Sequence, residues 1–296
     1  MKLFFVICSL LAQLADASAK LESSHILQVG MRPESVCRGF DGKLFITVMN
    51  SPQTPGDGVV RMIDGETIAD FATGMDEPKG IAYVGDFLVV TDVTRVWKIN
   101  AQGKATILAD GAAFPRPPSY LNDAAASPDG KSVFVSDMGN NTKMFGPDGL
   151  WPVNGSEAKE IAMVARIYQI EMDGSVKLAI DADPAMLNPN GVSSPEEGVL
   201  LVGEFFYGNI LSHRDGKLTV LATGMRGADG IEMGEAGEIY VSSWTQGKVW
   251  RLPAAGGSPE LLIEGHQSAA DFFFDRKEKQ LILPDMLAGT LSFYPL

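Results

Sequence analysis

The feature that most constrains the fold is that the chain repeats itself. Residues 71–80 read FATGMDEPKG and residues 221–230 read LATGMRGADG. Each is followed by the same pattern: a short apolar stretch, a polar turn, an alternating stretch, a second turn, and a run ending in Val-Trp, a basic residue and an aliphatic one. Four further segments carry the first half of this unit: ESVCRGFDGKLFITVMN, NDAAASPDGKSVFVSDM, NGVSSPEEGVLLVGEFF and ADFFFDRKEKQLILPDM. Taking the residue just ahead of each first strand as a marker gives Glu34, Lys79, Asn122, Asn190, Asp229 and Ala270, at intervals of 45, 43, 68, 39 and 41 residues. Four of these intervals match one four-stranded propeller blade, and the 68-residue interval holds an insertion at about residues 139–163. Period-two runs such as Val133-Phe134-Val135 and Ile239-Tyr240-Val241 specify strands rather than helices. The fold class expected is therefore all-β, a six-bladed β-propeller.

The chain ends support the same count. After Ala270 there is room for three strands before the chain stops at Leu296. The strand-like stretch HILQV at 25–29 has no blade of its own. Paired with residues 290–295 it would complete the sixth blade and remove the exposed edge of an open array.

Composition narrows the class of partner. In 296 residues, 24 Lys and Arg face 37 Asp and Glu, a net charge of −13. Such a balance argues against nucleic acid or an anionic membrane as a partner, but it permits a local carboxylate cluster around a cation. Lys2, the apolar run Leu3 to Leu14 and the small residues Ala17-Ser18-Ala19 have the form of a cleaved signal peptide. The expected organisation is a leader over 1–19 and one propeller domain over 20–296, secreted or periplasmic and monomeric. Cleavage after Ala19 would remove Cys8 and leave Cys37 alone, so no internal disulfide is available.

In a propeller the six marker positions share one face beside the axis. Glu34, Asn122, Asn190 and Asp229 make an all-oxygen set there, which suits the hard cation Ca²⁺; thiolates and imidazoles, which would favour zinc, are absent from it. Asn-Asp, Asn-Gly and Asp-Gly are turn dipeptides when met singly. Here all four oxygen-bearing residues fall at one repeat position, and that shared register points to a metal site.

On these motifs, Pro33-Glu34-Ser35, Leu121-Asn122-Asp123, Pro189-Asn190-Gly191 and Ala228-Asp229-Gly230, the chain resembles the regucalcin/gluconolactonase/luciferin-regenerating-enzyme family. The resemblance spans essentially the whole chain after the leader. It implies a six-bladed propeller with a divalent ion in its channel, Ca²⁺ or another such as Zn²⁺ or Mn²⁺, and hydrolysis of lactones or esters. It matches Glu34, Asn190 and Asp229 to metal ligands directly, and Asn122 to a position that is a ligand in some members. Lys79 departs from the pattern: it could repel the ion, bind a substrate carboxylate, or form a salt bridge to Asp92 or Glu34.

Other residues carry further expectations. His266 lies on the ligand face and is a candidate for proton transfer or substrate binding, whereas His25 and His213 are expected to be structural. Asp92, Asp137, Glu204, Ser243 and Asp285 end the second strands and would make the mouth acidic or orient the ligand amides. The insertion places Met144, Phe145, Leu150 and Trp151 at the mouth, where a lid would bring Trp151 to the substrate. Asp-Gly-Lys copies are hairpin turns rather than a phosphate loop. No Gly-x-Ser-x-Gly or His-Glu-x-x-His is present, which disfavours a serine hydrolase or zinc protease.

The reading that follows is an exported Ca²⁺-dependent lactonase or esterase acting on a small molecule. Glu34, Asn122, Asn190 and Asp229 hold the ion and Asp229 serves as general base or nucleophile. The competing reading is a non-catalytic binding scaffold whose ion only fastens the blades.

Overall fold

The computed structural model describes residues 20–139, 141–255 and 257–296; the leader expected over 1–19 lies outside the described residues. Six four-stranded antiparallel sheets follow one another along the chain. Their innermost strands are Pro33–Arg38, Pro78–Val84, Leu121–Ala126, Pro189–Glu196, Ala228–Met233 and Phe273–Asp275, and we number the blades 1 to 6 in that order. The sixth blade has three strands from the C-terminal segment and one from the N-terminal segment. His25–Gln28 pairs with Thr290–Pro295 in the register His25↔Phe293 to Gln28↔Thr290, as the strand count requires. Leu27 and Val29 are buried in this closure against Leu291 and Ile282, so sealing the edge also buries apolar surface.

The core runs between neighbouring blades. Val84, Val89 and Val96 of blade 2 pack on Val133, Val135 and Tyr168 of blade 3, and the alternation of each strand delivers one side chain in two to such an interface. His25 sits in the closing strand against Glu66 and Phe293, and His213 sits in the third strand of blade 4.

The markers lie one step further in than the sequence suggests. Glu34, Lys79, Asn122, Asn190 and Asp229 are the second residues of their strands. In all five blades the register breaks at this point, for example between Pro33 and Val36 and between Ala228 and Ile231. These are β-bulges, which re-aim a side chain at the cost of leaving backbone groups unpaired. A hydroxyl on the second strand takes up those groups. Thr47 accepts from the Ser35 N–H and donates to the Lys79 carbonyl of the next blade. Ser136 does the same for the Asp123 N–H and the Asn190 carbonyl, and Thr91 donates to the Asn122 carbonyl. In blades 1 to 3 the repeated Ser or Thr therefore stitches the bulge to the next blade.

Candidate metal and substrate site

Each bulge presents two consecutive residues to the channel, and they belong to different layers. The first layer is Glu34, Lys79, Asn122, Asn190 and Asp229, all lining one cavity of ≈ 180 Å³. The second layer is Ser35, Gly80, Asp123, Gly191, Gly230 and Asp271; Asp123 and Asp271 line a separate cavity of ≈ 370 Å³ at the other mouth. Glycine is required in the second layer because the strands converge on the axis. A Cβ on Gly191 would collide with the Asp229 carbonyl, and one on Gly80 with the backbone of Asp123 and Ala124.

The two layers differ in how their oxygens are satisfied. Glu34 Oε2, Asn122 Oδ1, Asn190 Oδ1 and Asp229 Oδ1 are each buried without a hydrogen-bond partner. One orphaned oxygen from each of the four expected ligands thus faces one cavity. Leaving four such acceptors unpaired is costly unless a cation or water fills the space between them. Asp123, by contrast, accepts from the Val192 N–H at 2.7 Å and the Ala124 N–H at 2.6 Å, and Asp271 accepts from the Ser35 hydroxyl.

The donor set fits a hard divalent cation: two carboxylates and two amide oxygens, with no sulfur or imidazole. Among the described residues no three His, Cys, Asp or Glu side chains converge as a metal-binding group, so the two amides are essential to the set. Without a cation the carboxylates resist ionisation. Burial, with Asp123 close by, pushes Glu34 up to about 8. Burial, then Glu34 and Asp123, holds Asp229 well above the ordinary aspartate range. Burial alone raises Asp123 to about 6. A bound cation would reverse the direction for Glu34 and Asp229.

The remaining candidates sort themselves by geometry. Lys79 lines the cavity, but its ion pair is with neither Asp92 nor Glu34. Its Nζ donates to the Glu77 carbonyl at 3.1 Å and the Glu77 carboxylate at 3.2 Å, and lies 4.2 Å above the Tyr120 ring. His266 is not among the cavity residues; its ring is held between Asp285 at 3.2 Å and the Tyr294 hydroxyl at 2.6 Å. Trp151 also stands back from the cavity. It packs in the apolar cluster under the insertion, and its carbonyl accepts from Arg226 at 2.7 Å.

The second polar row takes the second of the two roles expected of it, orienting the ring. Asp92, Asp137, Glu204 and Asp285 are buried, and each takes backbone N–H groups from the loop leading into its own innermost strand. Asp92 accepts from Asp76 and Glu77, Asp137 from Ser119 and Tyr120, Glu204 from Asn188, and Asp285 from Gln267 and Ser268. Ser243 instead donates to the Arg226 carbonyl. These groups clamp the loops that aim the ring.

A further row was not singled out from sequence. The residue after the end of each second strand is apolar in every blade: Met49, Val93, Met138, Phe205, Trp244 and Met286. Five have their backbone N–H bonded to the carbonyl two residues before the ring position, from Arg32, Tyr120, Asn188, Gly227 and Ser268. These same five line the cavity. In blade 2 the left-handed Val93 (φ 54°) instead bridges Leu121. The signal was available in the repeats, as an apolar residue following every second-strand end.

The insertion closes one side of the mouth. Phe145–Gly146 and Gly149–Leu150 form a two-residue hairpin between short 3₁₀ turns at Asn141–Met144 and Glu157–Glu160. Met144 is buried, and it and Phe145 line the cavity, with the Phe145 ring 6.1 Å from Phe205. The insertion therefore stands at the cavity, with Met144 and Phe145 rather than Trp151 lining it.

No protein-family model matches the chain, and no curated protein sequence matches it. Its structure resembles that of a gluconolactonase from Xanthomonas campestris, with a TM-score of 0.69 at 19% identity over 91% of this chain and 88% of that one. It also resembles regucalcin, a calcium-binding protein from Agrobacterium tumefaciens, with a TM-score of 0.69 at 14% identity over 93% and 94%. A luciferin-regenerating enzyme superposes with a TM-score of 0.65 at 11% identity over 91% and 92%. At these identities the likeness establishes architecture, and the chain is a six-bladed β-propeller of the kind seen in the gluconolactonase, regucalcin and luciferin-regenerating-enzyme structures.

Proposed function

We propose that this protein is an exported, monomeric, Ca²⁺-dependent hydrolase of lactones or related esters. The observation that carries the reading is the set of four orphaned buried oxygens from Glu34, Asn122, Asn190 and Asp229 around one cavity. Neighbours of the same fold that are described as a gluconolactonase and as a calcium-binding protein support it. A divalent cation held by these four residues would supply Lewis acidity to a carbonyl or to water.

The chain's own residues do the rest. The clamps Asp137 and Glu204 fix the loops of Asn122 and Asn190, so both amide oxygens are positioned before any ligand arrives. Lys79 is tied down by Glu77 and Tyr120 and leaves Glu34 free to face the cavity. Asp229 is the carboxylate within reach of a reacting carbonyl or water and acts as general base or nucleophile. The apolar wall row and the insertion exclude bulk water from the carbonyl.

Metal analysis of the purified protein, then a panel of lactones and esters with and without chelator, tests the proposal. Turnover that needs the ion and disappears in Asp229→Ala, with the fold intact by circular dichroism, is the expected result. A bound ion without turnover on the whole panel would instead favour a binding scaffold. Export predicts a mature protein that begins at Lys20, which the mass of the protein from the culture or periplasm reads directly.

A further inference from the structure

We infer that the substrate is an alkyl- or aryl-substituted lactone or ester rather than a polyhydroxylated one. The inference rests on the hydrolase reading of the same cavity and names the substrate that its walls select. Apart from the ring, Arg32 and Tyr120, the cavity is bounded by Met144 and Phe145 of the insertion, Phe205 and Trp244 of blades 4 and 5, and the methionines at the ends of the second strands of blades 1, 3 and 6. These seven are apolar side chains, five placed by the repeat and two by the insertion.

The polar groups on the walls are largely spent on one another. The Trp244 indole N–H donates to the Met286 sulfur at 3.2 Å. The Tyr120 hydroxyl donates to Glu77 at 3.3 Å, and two of the three Lys79 protons go to the same residue. The Asn122 amide N–H donates to the Met138 sulfur at 2.8 Å, which turns its oxygen to the ring. Arg32 faces Glu77 at 3.6 Å and keeps donor capacity, so with Lys79 it can receive one polar end of a substrate. A substrate with several hydroxyl groups would give up water at each of them and find no replacement along Met144, Phe145, Phe205 and Trp244. A hydrocarbon substituent loses nothing there and is removed from water.

The apolar surface also continues outward. A groove of ≈ 550 Å³ shares Arg32 and Met286 with the cavity and is bordered by Met31 and Leu287, which are 53% and 58% exposed. The central cavity, at ≈ 180 Å³, is below the about 300–1,000 Å³ usual for drug-sized ligands. A compact acyl group fits inside, and a longer chain extends along this groove.

The test compares kcat/KM of the Ca²⁺-loaded protein for δ-lactones of equal ring size carrying no substituent, alkyl chains of increasing length, or ring hydroxyl groups. The alkyl series should exceed the hydroxylated lactone by about 10- to 200-fold, the range one recognised hydrocarbon group commands, and should rise with chain length. Phe145→Ser, at a position 39% exposed, should narrow that preference about tenfold. Calorimetric binding of the corresponding δ-lactams, which do not turn over, gives a second readout. Preferred binding of alkyl lactams without turnover of any lactone would uphold the ligand class and refute the hydrolase. Equal or better handling of the hydroxylated compounds, in either measurement, would overturn the inference.

Discussion

The two halves of the channel are built from adjacent residues of the same strands, yet they are chemically opposite. The upper layer holds Glu34, Asn122, Asn190 and Asp229 with four oxygens unpartnered. The lower layer holds Asp123 and Asp271, both hydrogen-bonded, and opens to a mouth that also carries Arg38, Glu232 and Arg276. Acidity alone does not separate them, since each half has two aspartate or glutamate side chains lining its cavity at this level of the strands. What separates them is whether the protein has already satisfied the oxygens. Satisfied carboxylates fasten strands, and unsatisfied ones await a ligand.

The largest expected effect sharpens this contrast directly. Asp229→Asn should lower kcat/KM by about 10²–10³-fold, the loss typical of removing one electrostatic element of an active site. Asp123→Asn, one layer down, should change kcat/KM less than about tenfold and act mainly on stability, since it loses hydrogen bonds to backbone N–H groups. Equal losses from the two variants, in parallel assays of turnover and melting, would erase the distinction.

The next effect is on the fold. Gly191→Ala brings a Cβ into the Asp229 carbonyl, and overpacking of this kind costs typically about 1–3 kcal/mol. Chemical denaturation should show that loss together with weakened cation binding, because the displaced backbone carries Asp229. A neutral result would mean that the axis is looser than its glycines indicate.

pH supplies a third. In chelator-treated protein the raised carboxyls favour the folded state when protonated. Glu34 thus contributes stability that is fully present below its ordinary value of 4.5 and is lost as pH rises through about 8. Glu204 and Glu232, raised mainly by burial to about 7, act in the same direction over a shorter window. Melting temperature without metal should therefore fall between pH 4.5 and 8, and Ca²⁺ should restore it most strongly at the alkaline end. Melting that is flat with pH, or a Ca²⁺ effect confined to acid pH, would contradict the placement of the charge.

The smallest effect belongs to the insertion. Replacing residues 140–160 with a short Gly-Ser link should leave cation affinity within a fewfold, because Met144 and Phe145 touch the cavity but donate no oxygen to it. Substrate preference should shift by about tenfold, the effect of one lost apolar contact. Unchanged kinetics would reduce the insertion to a passive surface loop.

Much of this architecture was legible in the sequence because a repeat turns single residues into register. The six blades, the closing strand at 25–29 and the ring of Glu34, Asn122, Asn190 and Asp229 all follow from aligning one unit with itself. The bulge was not legible. A one-residue slip decides which of two neighbours faces which mouth, so the sequence pattern does not separate the lower layer of Asp123 and Asp271 from the ring above it. His266 and Trp151 were drawn to the site by their place along the chain. Their partners Tyr294 and Arg226 lie in other strands and loops, and such contacts leave no local pattern. The apolar row from Met49 to Met286 was legible but was masked by the polar row beside it.

The most direct measurement is a structure of the protein crystallised with Ca²⁺, with the ion located by its anomalous scattering. One ion should stand in the upper layer, about 2.3–2.6 Å from the oxygens of Glu34, Asn122, Asn190 and Asp229. No ion there, or an ion held only by Asp123, Asp271 and Glu232 at the lower mouth, would contradict the account.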